Sequence, residues 1–205
     1  MKRNRFLILV FVSLCVLGLI GCTKREIANT ASRGKNIICF GDSITFGYGA
    51  NTGEDFPTQL GKLIDMPVIN AGVSGDTSTE GLERLDSDVL QKDPYLVLIE
   101  FGGNDFIKNV PEEVTTRNTE EMIDRIQAQG AMVALIDISA GMFMGRYRGL
   151  FARIAARKKA IFIPSILDKI ITNPSMKSDF LHPNAAGYRE IALRIQNKTA
   201  LYLKK

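Results

Sequence analysis

Apolar residues along this chain gather in short runs separated by longer amphipathic stretches. The runs are "NIICF" (36–40), "PVIN" (67–70), "YLVLIEF" (95–101), "AMVALIDI" (131–138) and "AIFIP" (160–164). They are rich in branched residues and lack strict polar alternation, the pattern of strands covered on both faces. Between them, 3.6-residue spacing predicts helices over 55–65, 78–91, 112–129 and 146–158. Pro111 followed by Glu112 and Glu113 starts the third, because proline fits a helix's first turn and acids suit its positive end. Gly130 is placed to end it. A last helix is expected from near Pro183 to about Lys204, with Ile191, Ile195, Thr199 and Tyr202 on one face. Strand–helix alternation of this kind predicts an α/β fold of three layers, helices on both sides of about five parallel strands. No internal repeat, second domain or low-complexity segment is evident.

The amino terminus is different. "MKRNR" is a positive segment, followed by the apolar "FLILVFVSLCVLGLIG". Its length suits an export signal and is marginal for a spanning helix. Leu19-Ile20-Gly21-Cys22 resembles the lipobox of bacterial lipoproteins, which implies cleavage before Cys22, acylation of that cysteine and anchoring to the cell envelope. Several acyl chains on one residue give stable anchoring where one does not. Residues 1–21 are therefore expected to be a signal peptide of lipoprotein type, 22–35 the lipidated cysteine and a polar tether, and 36–205 the folded domain. An uncleaved anchor helix and ordinary signal cleavage are the competing readings.

The leader also explains the charge. The 205-residue chain carries a formal +4, and removing the three charges of Lys2, Arg3 and Arg5 leaves +1, so no nucleic-acid partner is expected. Of three cysteines, Cys15 lies in the leader and Cys22 would be lipidated. Cys39 is left alone inside an apolar run, as a small core residue with no disulfide partner.

Open parallel sheets bind ligands beyond the carboxyl ends of their strands. The polar loops there are Gly41-Asp42-Ser43, "NAGVSGDTS" (70–78), Gly102-Gly103-Asn104-Asp105 and "SDFLHPN" (178–184). His182 is the chain's single histidine, and Asp179 precedes it at i−3. A serine nucleophile needs a base, and the base needs an acid to orient it. Each piece has a plainer reading: Ser43 as the cap of the next helix, Gly-Gly-Asn-Asp as an ordinary loop, His182-Pro183 as a helix entry. Asp42, Asp76 and Asp105 are assigned to loop and turn organisation, with no chemical step.

Taken in order, "FGDSITFG", the glycine of "NAGVSGDTS", "GGND" and "DFLHPN" resemble the four sequence blocks of the SGNH (GDSL-type) serine hydrolases. Ile44 stands where that family usually has leucine. The resemblance spans about residues 36–203 and is closest to the bacterial thioesterase/lysophospholipase and arylesterase branch. It implies a flavodoxin-like SGNH fold. It also implies Ser43 as nucleophile, His182 as base and Asp179 as orienting acid. An oxyanion hole would be formed by the Ser43 N–H, the Gly75 N–H and the Asn104 side-chain amide.

The implied activity is hydrolysis of carboxylic esters or thioesters, lysophospholipids among them, through an acyl-enzyme. Removal of acetyl groups from polysaccharide and a non-catalytic anchored binding protein are the alternatives. A Gly-x-Ser-x-Gly elbow is absent because Thr45 takes its last position, and no Gly-x-x-x-x-Gly-Lys phosphate loop occurs. With one histidine and, in the expected mature chain, one non-lipidated cysteine, no metal site is expected, and no cofactor. Met142, Phe143, Met144 and Tyr147 are candidates for an acyl pocket or, equally, for core; Arg146 and Arg148 are expected to be solvated.

Overall fold

The computed structural model describes residues 26–139 and 145–203. Five strands, β1 (Asn36–Gly41), β2 (Val68–Gly72), β3 (Pro94–Glu100), β4 (Met132–Ile136) and β5 (Ile161–Ile163), form one sheet. Every pairing is parallel and the order is β2-β1-β3-β4-β5. The winding direction therefore reverses between β1 and β3, which is where such sheets open a binding crevice.

Among the described residues seven α-helices lie between strands, α1 (Ser43–Phe46), α2 (Phe56–Gly61), α3 (Ser78–Glu83), α4 (Leu85–Asp88), α5 (Gly103–Ile107), α6 (Glu112–Ala128) and α7 (Gly145–Arg157), and α8 (Ala185–Thr199) follows β5. α2 packs against α8, while α3 packs against α6 and α6 against α7. β3 and β4 are buried along their whole lengths and β1 at all positions but its first. This is why their sequences read as continuous apolar runs. Val97, Leu98 and Ile99 are fully covered, each contributing about 1.5–3 kcal/mol by burial. Cys39 lies among them, and burial pushes its thiol well up, out of the reactive range.

Several element limits differ from the sequence pattern. The span 78–91 is not one helix. It breaks after Glu83 at Arg84 (φ −96°, ψ 7°), continues as α4, and ends in a 3₁₀ turn at Leu90–Lys92. The last helix begins at Ala185, not Pro183, because the Asn184 side chain accepts the N–H groups of Ala186 and Gly187. It stops at Thr199, leaving Tyr202 outside it, where the Tyr202 carbonyl accepts the Tyr95 hydroxyl at 2.5 Å.

The segment read as a tether also needs correction in its second half. Ile27 packs against the core. The Ala28 N–H donates to the Lys159 carbonyl (2.9 Å), and the Asn29 amide donates to Gln127 (2.8 Å) and Ala131 (3.0 Å). Lys35 N–H bonds the Asp93 carbonyl at 2.9 Å. Asp93, Ala131 and Lys159 immediately precede or lie just before β3, β4 and β5, so residues 27–35 run under the amino ends of the strands and the packed fold begins before residue 36. Residues 1–21, expected to be a signal peptide, and Cys22 lie outside the described residues.

Candidate active site

β1 ends in Gly41, where the chain passes so close to Thr45 and the Glu100 backbone that a side chain would collide with both. Asp42 then caps α1, its Oδ1 accepting the Ile44 N–H at 3.1 Å. Asp42, not Ser43, is thus the cap, and Ser43 occupies the first helical position with its side chain at the sheet's carboxyl edge. Gly47 (φ 93°) closes the turn after a single helical repeat.

Ser43 and His182 are 139 residues apart, yet Ser43 Oγ lies 3.0 Å from His182 Nε2. On the other side of the ring, Nδ1 lies 2.8 Å from Asp179 Oδ2 and 3.0 Å from Oδ1. Asp179 Oδ1 also accepts the backbone N–H groups of Leu181 and His182, both at 2.8 Å. Partial burial pushes the Asp179 carboxyl up, but these two N–H groups and the imidazole outweigh it and hold it below its usual value. The loop is closed at its base by a Ser178 N–H to His182 carbonyl bond (2.9 Å) and a bridge between Lys177 and Pro183. With Nδ1–H facing Asp179, the Nε2 lone pair faces the serine hydroxyl, as a base must. The Tyr48 ring leans on the imidazole, with centroids 4.5 Å apart.

Beside Ser43 are Gly75 and Asn104. Among the described residues no acceptor pairs with the N–H of Ser43 or of Gly75. Gly75 sits at φ 90° with open space where a Cβ would be, and Lys108 Nζ holds its carbonyl at 2.8 Å. Asn104 is more constrained: Nδ2 donates to the Asp76 carbonyl (2.9 Å) and to Asp42 Oδ2 (3.1 Å). Gly75 and Asn104 line a cleft of about 270 Å³ with Ser43 and His182. Its far wall is apolar, from Ile107, Ile138, Leu167, Ile171 and Leu181. Tyr147 is not in that wall; it is buried against Phe151 and Phe106. Met142, Phe143 and Met144 lie outside the described residues. Arg146 pairs with Glu112 at 2.7 Å and Arg148 reaches buried Asp137 at 3.3 Å, so Arg148 is less free than expected.

Of three supporting groups, Glu100 and Arg84 carry no local sequence signal, while Asp105 is expected from the sequence to organise its loop. Glu100, the last residue of β3, is buried beside Asp42; its Oε2 accepts Thr45 Oγ1 (2.8 Å) and the Asp42 N–H (3.4 Å), while Oε1 has no partner. Burial raises both carboxyls, Asp42 to about 6, and repulsion from Asp42 raises Glu100 further. Glu100, the more buried of the two, is held further toward its neutral form. Arg84 donates to Asp76 Oδ2 (2.7 Å), the Ala71 carbonyl (2.8 Å), Asp88 Oδ2 (2.9 Å) and the Gly41 carbonyl (2.9 Å). Its guanidinium stacks 4.5 Å above Phe40. One side chain thereby ties together the ends of β1 and β2 and the Gly75 loop. Finally, Asp105 accepts the Ser78 N–H (2.9 Å), the Ser78 hydroxyl (2.5 Å) and the Thr115 hydroxyl (2.8 Å), fixing Asn104 next to it.

A hydroxyl, an imidazole and a carboxylate in line, beside unpaired N–H donors at the switch point of a doubly wound sheet, define the class of serine hydrolases. Residues 39–190 match the GDSL-like lipase/acylhydrolase family model. The chain is 34% identical over 169 residues to an arylesterase of Vibrio mimicus, covering 77% of this chain and 84% of that one. It is 31% identical over 180 residues to the esterase TesA of Pseudomonas aeruginosa, covering 82% and 90%. A crystal structure of TesA superposes with a TM-score of 0.74 at 30% identity, over 82% of this chain and 99% of that one. The chain belongs to the GDSL-like lipase/acylhydrolase family and is a serine ester hydrolase.

Proposed function

We propose that this protein hydrolyses carboxylic esters or thioesters of apolar acyl groups through an acyl-enzyme on Ser43. The observation that carries this reading is the 3.0 Å contact of Ser43 Oγ with an imidazole backed by Asp179. Ser43 Oγ attacks the acyl carbon while its proton passes to His182 Nε2. The bond to the leaving oxygen or sulfur then breaks, and the leaving group takes that proton. Water attacks the acyl carbon next, giving its proton to Nε2, and Ser43 recovers it as the acid departs. Asp179 steadies the imidazolium in both halves. Negative charge on the carbonyl oxygen is met by the N–H groups of Ser43 and Gly75 and by Asn104, which turns one amide hydrogen from its internal acceptor toward the oxyanion.

An apolar far wall suits an acyl chain. The relatives agree in chemistry: besides the arylesterase, one is named thioesterase 1/protease 1/lysophospholipase L1, from Escherichia coli, 27% identical over 75% of this chain and 78% of that one. The leader and Leu19-Ile20-Gly21-Cys22 support export and lipid anchoring at Cys22 in a bacterial envelope.

The test is hydrolysis of p-nitrophenyl esters of increasing chain length by the wild type and Ser43→Ala. Ser43-dependent turnover favouring chains longer than acetyl is expected. Turnover that survives Ser43→Ala, or that falls steadily beyond acetyl, would overturn the mechanism or the acyl-chain reading respectively. Fatty-acid labelling lost on Cys22→Ala is expected for the anchor; labelling that persists would refute it.

A further inference from the structure

We infer that the mouth of the cleft faces away from the membrane that anchors the chain, so the substrates are esters dispersed in water and not esters embedded in that bilayer. The inference rests on the anchor and esterase readings above and adds an orientation to them. Its basis is where the amino-terminal segment docks. Ile27 is packed into the core, Ala28 is bonded to Lys159 and Asn29 to Gln127 and Ala131, all at the amino ends of the strands. Ser43, Gly75, Asn104 and His182 lie at the opposite, carboxyl ends.

α6 measures the separation. It descends from the cleft side, five residues after exposed Ile107, to the underside, where the Gln127 carbonyl receives Asn29. Its 17 residues span about 25 Å at 1.5 Å per residue. From Cys22 to Ile27 is five residue steps, which reach at most about 18 Å when fully extended. An acylated Cys22 therefore holds the underside against its bilayer and falls short of letting the mouth turn onto it.

The mouth is otherwise suited to a lipid surface. Phe46 of α1, Phe106 and Ile107 of α5, and the loop residues Tyr48 and Phe180 are all exposed at that end, Phe180 at 81%. Without the short attachment, this apolar rim would be expected to settle on the nearest bilayer. The attachment removes the anchoring bilayer from its reach and leaves the rim to apolar substrates arriving from the water side.

The experiment uses the full lipidated chain in phospholipid vesicles carrying a surface acceptor dye. Cys39 is buried and Cys22 acylated, so a cysteine introduced by Arg33→Cys or Phe180→Cys takes a fluorophore uniquely. Strong energy transfer to the membrane is expected from position 33 and weak transfer from position 180; equal or reversed transfer overturns the orientation. A second arm inserts a flexible Gly/Ser stretch of about 30 residues after Lys24, with a reach near 30 Å. Hydrolysis of dissolved p-nitrophenyl butyrate is expected to be unchanged by the insertion. Hydrolysis of a long-chain fluorogenic ester confined to the same vesicles is expected to rise at least about tenfold, because the short attachment otherwise keeps the effective concentration of that ester near zero. Equal rates on the confined ester with and without the insertion overturn the inference. Protein that washes off the vesicles refutes the anchor, and the inference with it, while activity on dissolved ester persists. Loss of the dissolved-ester activity alone refutes the esterase reading and leaves the energy-transfer result to decide the orientation.

Discussion

Replacing Arg84 with alanine removes a side chain outside the cleft lining that ties together the ends of β1 and β2 and the Gly75 loop. The guanidinium is largely buried and makes four hydrogen bonds of 2.7–2.9 Å, two to the backbone carbonyls of Gly41 and Ala71 and two to Asp76 and Asp88. Asp88 is partly exposed and regains water, but Asp76 is left as a mostly buried carboxylate without its cation. Breaking one side of a buried pair costs about 3–5 kcal/mol, and loss of the stack on Phe40 adds about 1 kcal/mol. The Asp76 carbonyl is an acceptor for Asn104, and Gly41 is two residues before Ser43. A relaxation of these loops by about 1 Å is expected to lower kcat about 10²-fold. Arg84→Lys keeps the charge but not the planar fork, and should recover part of the stability with little of the rate. The assay is urea denaturation at constant m-value with kcat measured on the same folded samples. An Arg84→Ala protein that loses less than about 1 kcal/mol and keeps wild-type kcat would refute the argument that this residue assembles the site.

Asn104→Ala should lower kcat about 10²–10³-fold with KM little changed; a rise in KM at constant kcat would make Asn104 a ground-state binding group. Asp179→Asn can still accept the Leu181 and His182 N–H groups, so the loop should hold while kcat falls, by up to about 10⁴-fold; a wild-type rate would mean the imidazole needs no carboxylate. Burial lifts Asp42 to about 6, above an unfolded value near 4. The folded chain therefore binds that proton more tightly, and the Asp42 contribution to stability should be lost as pH rises from about 4 to about 6, by up to about 3 kcal/mol, while buried Glu100, raised as well, carries the decline to higher pH. Asp42→Asn, which retains a capping oxygen, should flatten that limb in denaturation midpoints measured across the range; an unchanged slope would place the titration elsewhere. Asp179, held below its usual value, acts in the opposite sense and only at lower pH, where its contribution is lost as it protonates.

The central sheet was legible because β1, β3 and β4 are covered on both faces, which leaves unbroken apolar runs. The edges of elements were less so. Arg84 interrupts a stretch with good helical spacing, and nothing near it in sequence says that its side chain is needed by carbonyls 13 and 43 residues earlier. The Ser43–His182–Asp179 line was legible for the opposite reason: one histidine in the chain, an acid at i−3, and a tight loop that needs no distant partner to bring those two together. Glu100 was hidden inside a strand pattern as one more residue of "YLVLIEF", and its partner Asp42 is 58 residues away. The amino-terminal segment past Glu26 is less legible because its polar composition suggests solvent exposure, whereas Asn29 donates its amide to the Gln127 and Ala131 carbonyls about 100 residues later.

The mechanism requires a covalent intermediate at Ser43, and the most direct measurement is to trap it. The folded protein would be mixed with a slowly turned-over acyl ester, quenched in acid within the first turnover, digested and analysed by mass spectrometry. The expected result is the mass of one acyl group on the peptide carrying Ser43, present in the wild type and absent from Ser43→Ala. An acyl group on another residue, or hydrolysis that proceeds with Ser43 never modified, would contradict it.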